Sequence, residues 1–347
     1  MRRHWKQFGA LALGVLGGAM LFAGPARASV AVLVEQPYGG LGMNPAGHSA
    51  VYLDHVCAAS PTKLRACHEG EMGAVISRYD DIGGYDWLAM PLVAYLYAVE
   101  SPSEVPQTMD RDNEIRLRDA YRREHLMEIA PDTEDGSVPE GNWYQLVGAA
   151  YDRTLYGFQL KTTAEQDAEL IALFNDRKNV ERYIGAFRNC ADFARVTINR
   201  FYPHAIRRNF LADFGVTTPK HVAQALTKYG EKHPEAGFTV FVVPQVPGSL
   251  PRSRRVKGVT EGLLTIKRWV VPITVLYPPM TAALMVAYMG NGRFGMPKDA
   301  PVLSVQTLRD DALTGAATAS EAELPAPAAV VKTSFAASSA VLLNSQQ

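Results

Sequence analysis

The sequence predicts an α+β protein in which an antiparallel sheet carries His48 and packs against a helix that begins at Cys190. Two observations predict this class. Apolar, β-branched and alternating segments early in the chain favour strands, whereas segments with helical spacing and capping residues favour helices, some of them inserted between His48 and Cys190. A sheet and helices that share one core give a layered architecture of this kind.

The strands are predicted from β-branched and alternating residues. VAVLVEQPY (30–38) and HSAVYLDHV (48–56) flank a glycine-rich loop, and EMGAVISRY (71–79) predicts a third strand. GFTVFVVPQV (237–246) predicts a late strand. The apolar segment 86–100 contains a proline, and its pattern leaves helix and strand both open.

The helices are predicted from spacing and from the residues at their starts. Segments 110–127 and 143–156 both have a helical pattern. Thr163 and Gln166 have the spacing of a capping box, which predicts a helix through about residue 175. Thr218 precedes a proline and predicts the start of a further helix.

Cys190 lies in the sequence FRNCADF, where a helix is expected to begin. Asn189 is a favoured N-cap residue, and 191–201 has the apolar spacing of a buried helix, which places Cys190 in the first turn. Unpaired N–H groups and the helix dipole favour an anion there, so the thiol loses its proton more easily than its usual pKa of about 8.5 suggests. Cys190 is therefore a candidate nucleophile, and a small buried apolar residue is the alternative.

Residues 1–28 have the organisation of a secretory signal peptide. A basic start, MRRHWKQ, precedes the apolar FGALALGVLGGAMLFAG and a small-residue site at Ala26 and Ala28. We expect cleavage before Ser29, with an uncleaved membrane anchor as the alternative. The mature protein is then exported, to the periplasm or the cell envelope.

Export to an oxidising compartment favours a disulfide between the two closely spaced cysteines. Cys57 and Cys67 bracket CAASPTKLRAC, and a bridge there would stabilise the fold by about 2–3 kcal/mol. It would leave Cys190 as the free thiol. Neither cysteines nor histidines have the spacing of metal ligands, so we expect no metal and no other cofactor.

Composition and segment boundaries bound the function. The 35 basic and 35 acidic residues give no basic excess, so a nucleic-acid partner is not expected. Residues 29–250 suffice for one domain with a sizeable core or for two small ones, and we expect one domain. Residues 251–300 are basic at first and then uncharged over 269–290, which predicts a membrane-associated part that either spans the bilayer, lies at its interface or covers a partner. Residues 301–347, rich in Ala, Ser and Pro, predict a disordered tail.

His48 is the candidate base because it begins a strand directly after the glycine-rich loop, where a side chain can point into a cleft. His125, His221 and His233 lie in polar contexts that are typical of solvated histidines. The order GHSAVYL early and NCADF at a later helix start resembles the circularly permuted branch of the NlpC-type, papain-like cysteine hydrolases, which includes lecithin:retinol acyltransferase relatives. The resemblance covers these two motifs and leaves residues 87–188 unmapped.

The resemblance implies a permuted papain-like core with Cys190 as the nucleophile and His48 as its base, acting on an amide or ester through a thioester. Backbone N–H groups at the helix start, with Asn189 as cap or oxyanion group, would help to hold the oxyanion.

The resemblance also implies a third, orienting residue on the strand antiparallel to the histidine strand. That strand is AVISRYDD, and Tyr79 is preferred because alternation sets it on the same face as Val75 and Ser77. The alternatives are Ser77, Asp80 and Asp81, together with His68 and Glu69 if the disulfide loop folds back.

These expectations combine into an exported cysteine hydrolase or acyltransferase that acts on a cell-envelope peptide or lipid, with membrane contact through 269–290. The first alternative is a catalytically silent domain of the same fold that binds an envelope component or a membrane partner. The second is a purely structural exported protein in which the pair of motifs is a coincidence.

Overall fold

The computed structural model describes residues 28–38, 46–180 and 183–310 of the 347-residue chain. Most of the predicted signal peptide and all of residues 311–347 lie outside this part. The strands are β1 (Ser29–Glu35), β2 (His48–Leu53), β3 (Val56–Ser60), β4 (Lys63–Ala66), β5 (Ala74–Ser77), β6 (Leu88–Pro91), β7 (Leu155–Lys161) and β8 (Thr239–Val243). The α-helices are α1 (Leu92–Tyr97), α2 (Arg111–His125), α3 (Ala149–Asp152), α4 (Ala164–Asp176), α5 (Cys190–Phe201), α6 (Pro219–Lys232), α7 (Val259–Thr265), α8 (Lys267–Leu276) and α9 (Pro278–Ala287).

Six of the strands form one antiparallel sheet in the order β6-β5-β2-β1-β7-β8, which confirms the predicted α+β class. β1 pairs with β2 on one side and β7 on the other, and the β1–β2 register ends with Glu35 opposite His48. Every residue of β1 is buried, which explains its nearly continuous apolar sequence.

Helices cover both faces of this sheet, and alternate strand residues supply the two cores. On one face, Leu33 and Val75 pack with α1, α2 and α3. On the other, Val32 and Ile76 pack with α4, α5 and α6. Since α5 packs directly against β2, the first turn of α5 lies near His48, the first residue of β2.

Three predicted helix starts are confirmed by their caps. The capping box between Thr163 and Gln166 is complete, the Asn189 side chain accepts from the N–H of Asp192, and Thr218 caps α6. Each cap satisfies a backbone donor that the helix itself leaves without a partner.

Two segments differ from the simple patterns of the sequence. Segment 86–100 contains both β6 and α1, with the change at Pro91, the residue that precedes the first residue of α1. The single helix predicted over 143–156 is wrong. A short 3-10 turn and α3 occupy part of it, because Gly148 between them has a φ of 73°, and β7 begins at Leu155.

The predicted disulfide between Cys57 and Cys67 is confirmed, and it links β3 to the residue that follows β4 in the separate β3–β4 hairpin. Cys190 is the free cysteine of the chain. The hairpin packs beside β5 and β6, so the bridge stabilises a part of the fold away from the first turn of α5.

The uncharged stretch forms a helical hairpin, α8–α9, followed by a π-helical turn at Tyr288–Gly292. In the described part of the chain, no helix has both the length and the apolar character needed to cross a bilayer. After the hairpin the chain returns to the sheet, where Leu303 N–H donates to Val242 O at 2.9 Å and Leu308 is buried. The tail predicted from residue 301 thus begins with a segment that contacts β8.

Candidate functional site

Cys190 and His48 meet where the N-terminus of α5 lies beside the first residue of β2. The thiol and the imidazole interact directly, since a hydrogen bond and the charge of each shift the pKa of the other. Both side chains are buried, with 4% of Cys190 and 7% of His48 exposed. Packing therefore joins two motifs that are far apart in the sequence.

Several groups act on the Cys190 thiol, and together they lower its pKa below the usual value. Burial opposes ionisation, but the charge of His48, its hydrogen bond and a backbone hydrogen bond from Ser49 outweigh burial. Glu35 acts in the opposite direction. A lowered pKa increases the fraction of thiolate, which is the nucleophilic form of cysteine.

The pKa of His48 is raised above the usual value. Burial disfavours the charged ring, but the charges of Cys190 and Glu35 and the hydrogen bond with Cys190 favour it. With the thiol pKa lowered and the imidazole pKa raised, proton transfer from sulfur to the ring is easier than between the same two groups with their usual pKa values.

Ser77 fixes which nitrogen of His48 carries a proton. The Ser77 hydroxyl oxygen lies 3.0 Å from Nε2 of His48 and donates to the carbonyl oxygen of Ser49 at 2.7 Å. A carbonyl has no proton, so the single hydroxyl proton belongs to that bond, and the Ser77 oxygen accepts from Nε2–H. The other ring nitrogen, Nδ1, then has its lone pair available for the thiol proton.

Tyr79 contacts the face of the same ring. Its ring centroid lies 5.1 Å from that of His48, and the two planes are inclined by 20°. The β2–β5 register, in which Val51 is opposite Ile76, places Tyr79 across from His48 when it is continued beyond β5. The two residues of the AVISRYDD strand that reach His48 therefore make different contacts: Ser77 bonds a nitrogen, and Tyr79 stacks on the ring.

The other residues considered for the third position lie elsewhere. Asp80 and Asp81 are exposed, and Asp80 lines the cavity in front of His48. His68 and Glu69 line a different cavity, near Tyr52 and beside β8.

A buried ion pair between Glu35 and Arg153 lies next to the residues that contact His48. The sequence patterns did not predict it. Tyr95 donates to one carboxylate oxygen of Glu35, and Arg153 binds the other. Tyr79 in turn hydrogen-bonds to Tyr95, which links the pair to the residue that stacks on His48. The signal that could have found Glu35 is a carboxylate at the end of an otherwise apolar, buried strand.

Asn189 acts as the cap of α5. Its Oδ1 accepts from Asp192 N–H at 2.8 Å, and its amide nitrogen donates to Gly185 O and Thr217 O at 2.9 and 3.0 Å. Both amide protons are therefore used. Among the described residues, the first-turn N–H groups that remain for an incoming anion are those of Cys190 and Ala191.

A cavity of about 750 Å³ opens in front of His48 and Tyr79. Its size suits a small organic ligand or part of a larger one. Its charged residues include Glu114, which pairs with Arg111 and Arg118. Cys190 does not belong to the lining, so His48 is the member of the pair that faces the cavity. The aromatic part of the wall consists of Tyr38, Tyr79, Trp143, Tyr144 and Tyr183.

Comparison of the chain with protein-family models, with curated proteins and with solved structures found no match. Within the described residues, the group of potential metal ligands that lies close enough together is Cys57, Cys67 and Glu71, and its two sulfurs are bonded to each other. The geometry around Cys190 is therefore the basis for a functional proposal.

Proposed function

We propose that this protein is a cysteine hydrolase or acyltransferase that acts on an amide or ester through a thioester on Cys190. The observation that carries the proposal is the buried contact between a first-turn thiol with a lowered pKa and an imidazole with a raised pKa. Perturbed titratable groups that contact each other beside a cavity are typical of catalytic sites.

In the first half of the reaction, Nδ1 of His48 takes the thiol proton and the Cys190 sulfur attacks the substrate carbonyl carbon. The carbon–sulfur bond forms as the carbonyl electron pair moves to oxygen, where the N–H groups of Cys190 and Ala191 hold the negative charge. The oxyanion then collapses and expels an amine or an alkoxide, which leaves with the proton from His48.

In the second half, His48 removes a proton from water or from an acceptor hydroxyl or amine. That oxygen or nitrogen attacks the thioester, the carbon–sulfur bond breaks, and the proton returns to the Cys190 sulfur. Water gives a hydrolase and another acceptor gives a transferase, so the identity of the second nucleophile separates the two activities.

Ser77 and Tyr79 are positioning residues in this scheme. Ser77 keeps the proton on Nε2, which leaves Nδ1 as the base, and Tyr79 limits rotation of the ring by stacking on its face. We also propose that the core is of the permuted papain-like kind. The packing of α5 on an antiparallel sheet, with the histidine strand earlier in the chain, supports that assignment.

The proposed substrate is a peptide or a lipid of the cell envelope. Export through the N-terminal segment would bring the enzyme to that compartment. The aromatic wall of the cavity supports a substrate with an apolar or flat portion next to the scissile bond.

The test is the pH dependence of Cys190 alkylation by iodoacetamide in the full chain and in a His48→Ala variant. We expect an apparent thiol pKa below the usual value of about 8.5, and a higher one in the variant, because the largest lowering influence has been removed. His125→Ala is the matched control, since His125 lies on α2 and pairs with Glu100. Mass spectrometry checks that Cys57 and Cys67 remain bridged and unlabelled.

A thiol with an ordinary pKa, or one whose pKa is the same with and without His48, would overturn the enzyme proposal. A lowered pKa would justify assays with peptidoglycan fragments and with acyl esters. Release of acid in the absence of an acceptor then identifies a hydrolase.

A binding domain without turnover is the second candidate. The observation that favours it is that Cys190 is almost completely covered and does not line the cavity. The same alkylation experiment distinguishes the two, because a silent domain is expected to leave the thiol unreactive at every pH at which the fold survives.

A further inference from the structure

The largest concentration of exposed apolar side chains lies in the α8–α9 hairpin and in the loop 209–214, and none of these side chains lines the cavity in front of His48. We propose that the α8–α9 hairpin and the loop 209–214 form a docking surface for an anionic phospholipid bilayer. The proposal is independent of the chemistry assigned to Cys190. We refer to these two segments together as the docking surface.

Half of the large apolar residues that are exposed in the described part of the chain belong to the docking surface. Leu276, next to the hairpin turn, is 77% exposed, and Leu211 of the loop is 65% exposed. Scattered exposed apolar residues are ordinary, but a cluster of this kind marks a surface that contacts something apolar. The full set is Phe210, Leu211, Phe214, Val271, Val275, Leu276, Tyr277, Met280, Met285 and Val286.

The hairpin is held at its base and projects from there. Before the hairpin, the Thr260 N–H of α7 donates to Ala212 O at 3.2 Å, and after it, the Asn209 side chain donates to Asn291 O of the π-helical turn at 3.4 Å. Near the turn, the hydroxyl oxygens of Thr274 and Thr281 lie 3.1 Å apart, which joins the two helices. The loop 209–214 thus lies at the base of the hairpin, and the turn at Tyr277 lies at its tip.

The dimensions of the hairpin suit insertion into one leaflet. Each helix has 10 residues, which corresponds to a length of about 15 Å, roughly half the hydrocarbon thickness of a bilayer. An apolar element of this length can bury itself from one side without crossing the membrane.

Positive charge surrounds the base of the hairpin. Residues 251–300 contain eight basic and two acidic residues, although the whole chain is neutral. One of the two acids, Glu261, is paired with Lys220 at 2.5 Å. Lys267 and Arg268 begin α8 and Arg293 follows the π-helical turn, so basic residues flank both ends of the hairpin where it meets the domain. Such charges attract the anionic headgroups of lipids.

The same charges argue against a second copy of this chain as the occupant. A symmetric dimer through the docking surface would bring two sets of basic residues together, because each subunit presents the same patch. Like charges brought together at an interface cost several kcal/mol. An anionic lipid surface complements both the apolar tip and the basic base.

The test is co-sedimentation of the protein with phosphatidylcholine vesicles that do or do not contain phosphatidylglycerol. The full chain is expressed and is used with whatever N-terminal processing the expressing cell carries out. We expect strong binding only to the anionic vesicles, and weaker binding as the salt concentration rises. Leu276→Asp should weaken binding by about tenfold or more, since it removes an apolar side chain that would insert into the bilayer and adds a charge.

Two matched variants separate this surface from general effects. Leu211→Asp should weaken binding, whereas Val180→Asp should not, although both residues are 65% exposed. Arg255→Glu should weaken binding, whereas Lys228→Glu, on the exposed side of α6, should not. Because all four residues lie at the surface, the urea midpoint of each variant is expected to stay close to that of the parent.

Absence of vesicle binding would overturn the proposal, as would equal binding to neutral and anionic vesicles. Unchanged binding of Leu276→Asp would also overturn it and would assign the interaction to another part of the chain. Concentration-dependent self-association that Leu276→Asp abolishes, in the absence of vesicle binding, would assign the surface to a second copy instead.

Discussion

The pair of Cys190 and His48 and the docking surface are built in opposite ways. Around His48, the side chains of Ser77, Glu35 and Arg153 are buried and held by hydrogen bonds to named partners. In the hairpin, neither α8 nor α9 has a side-chain N-cap, Pro272 lies inside α8, and most of the apolar residues face outwards. The surroundings of His48 are held by buried side-chain hydrogen bonds, whereas the hairpin is held to the domain only at its base.

The difference teaches where a substitution should be costly. Removing a partner from the buried network leaves a polar group without solvent or hydrogen bond, whereas a substitution at an exposed apolar position changes little in the folded state. The contrast therefore predicts larger losses of stability for substitutions in the buried network than for substitutions in the α8–α9 hairpin.

Arg153→Met should have the largest effect on stability. It leaves the Glu35 carboxylate buried without its cationic partner, and loss of one member of a buried ion pair costs about 3–5 kcal/mol. Urea unfolding measures the loss. Arg293→Met, at an exposed arginine near the hairpin, is the control and should stay within about 0.5 kcal/mol of the parent. Equal losses for the two variants would contradict the contrast.

Removal of the disulfide should come next. The double variant Cys57→Ala and Cys67→Ala frees the β3–β4 hairpin and should lower the free energy of unfolding by about 2–3 kcal/mol. The alkylation profile of Cys190 should not change, since the bridge lies away from α5. A shifted profile would show that the two parts of the fold are coupled.

Ser77→Ala should combine a moderate stability loss with a specific change in reactivity. It leaves Nε2–H and the carbonyl of Ser49 without their shared partner, at a cost of about 1–3 kcal/mol. The ring can then carry its proton on Nδ1, so the apparent pKa of the Cys190 thiol should rise.

Ser49→Ala is the matched control for Ser77→Ala. The Ser49 hydroxyl is buried and has no hydrogen-bond partner among the described residues, whereas its backbone makes the bonds that matter. Its replacement should leave both the stability and the alkylation profile close to those of the parent. If Ser77→Ala and Ser49→Ala give the same alkylation profile, Ser77 does not determine which nitrogen of His48 carries the proton.

Apart from the controls, Asn189→Ala should have the smallest effect of the series: it removes the cap, which contributes about 1 kcal/mol, together with the donors to Gly185 O and Thr217 O. Asn189→Asp keeps the oxygen that accepts from Asp192 N–H but loses the two donors, and it adds a negative charge beside the thiol. It should therefore retain the cap while raising the pKa of Cys190, because a nearby like charge disfavours the thiolate. Alkylation profiles and urea curves of both variants test this separation.

The sequence predicted what local patterns determine. The capped starts of α4, α5 and α6, the first strands and the bridge between Cys57 and Cys67 all depend on residues close to each other in the chain. The helix predicted over 143–156 was wrong, because the positive φ of Gly148 interrupts a pattern that is otherwise helical.

The site was predicted less completely, for a physical reason. Alternation set Ser77 and Tyr79 on one face, but only the register between β2 and β5 determines that one bonds a nitrogen of His48 and the other stacks on its ring. Glu35 and Arg153 are far apart in sequence, and no local sequence pattern predicts that they form an ion pair. The sequence showed residues 269–290 as one uncharged stretch. It did not predict the turn at Tyr277 that divides this stretch into two helices.

The hydrogen bonds that begin at His48 run in one direction and stop. Nε2–H donates to Ser77, Ser77 donates to the backbone carbonyl of Ser49, and a carbonyl has no proton to pass on. A proton that arrives on the ring from sulfur has no outlet on the Ser77 side. In the proposed reaction it must leave from Nδ1, towards the departing group, so the direction of two hydrogen bonds restricts His48 to exchanging protons through a single nitrogen.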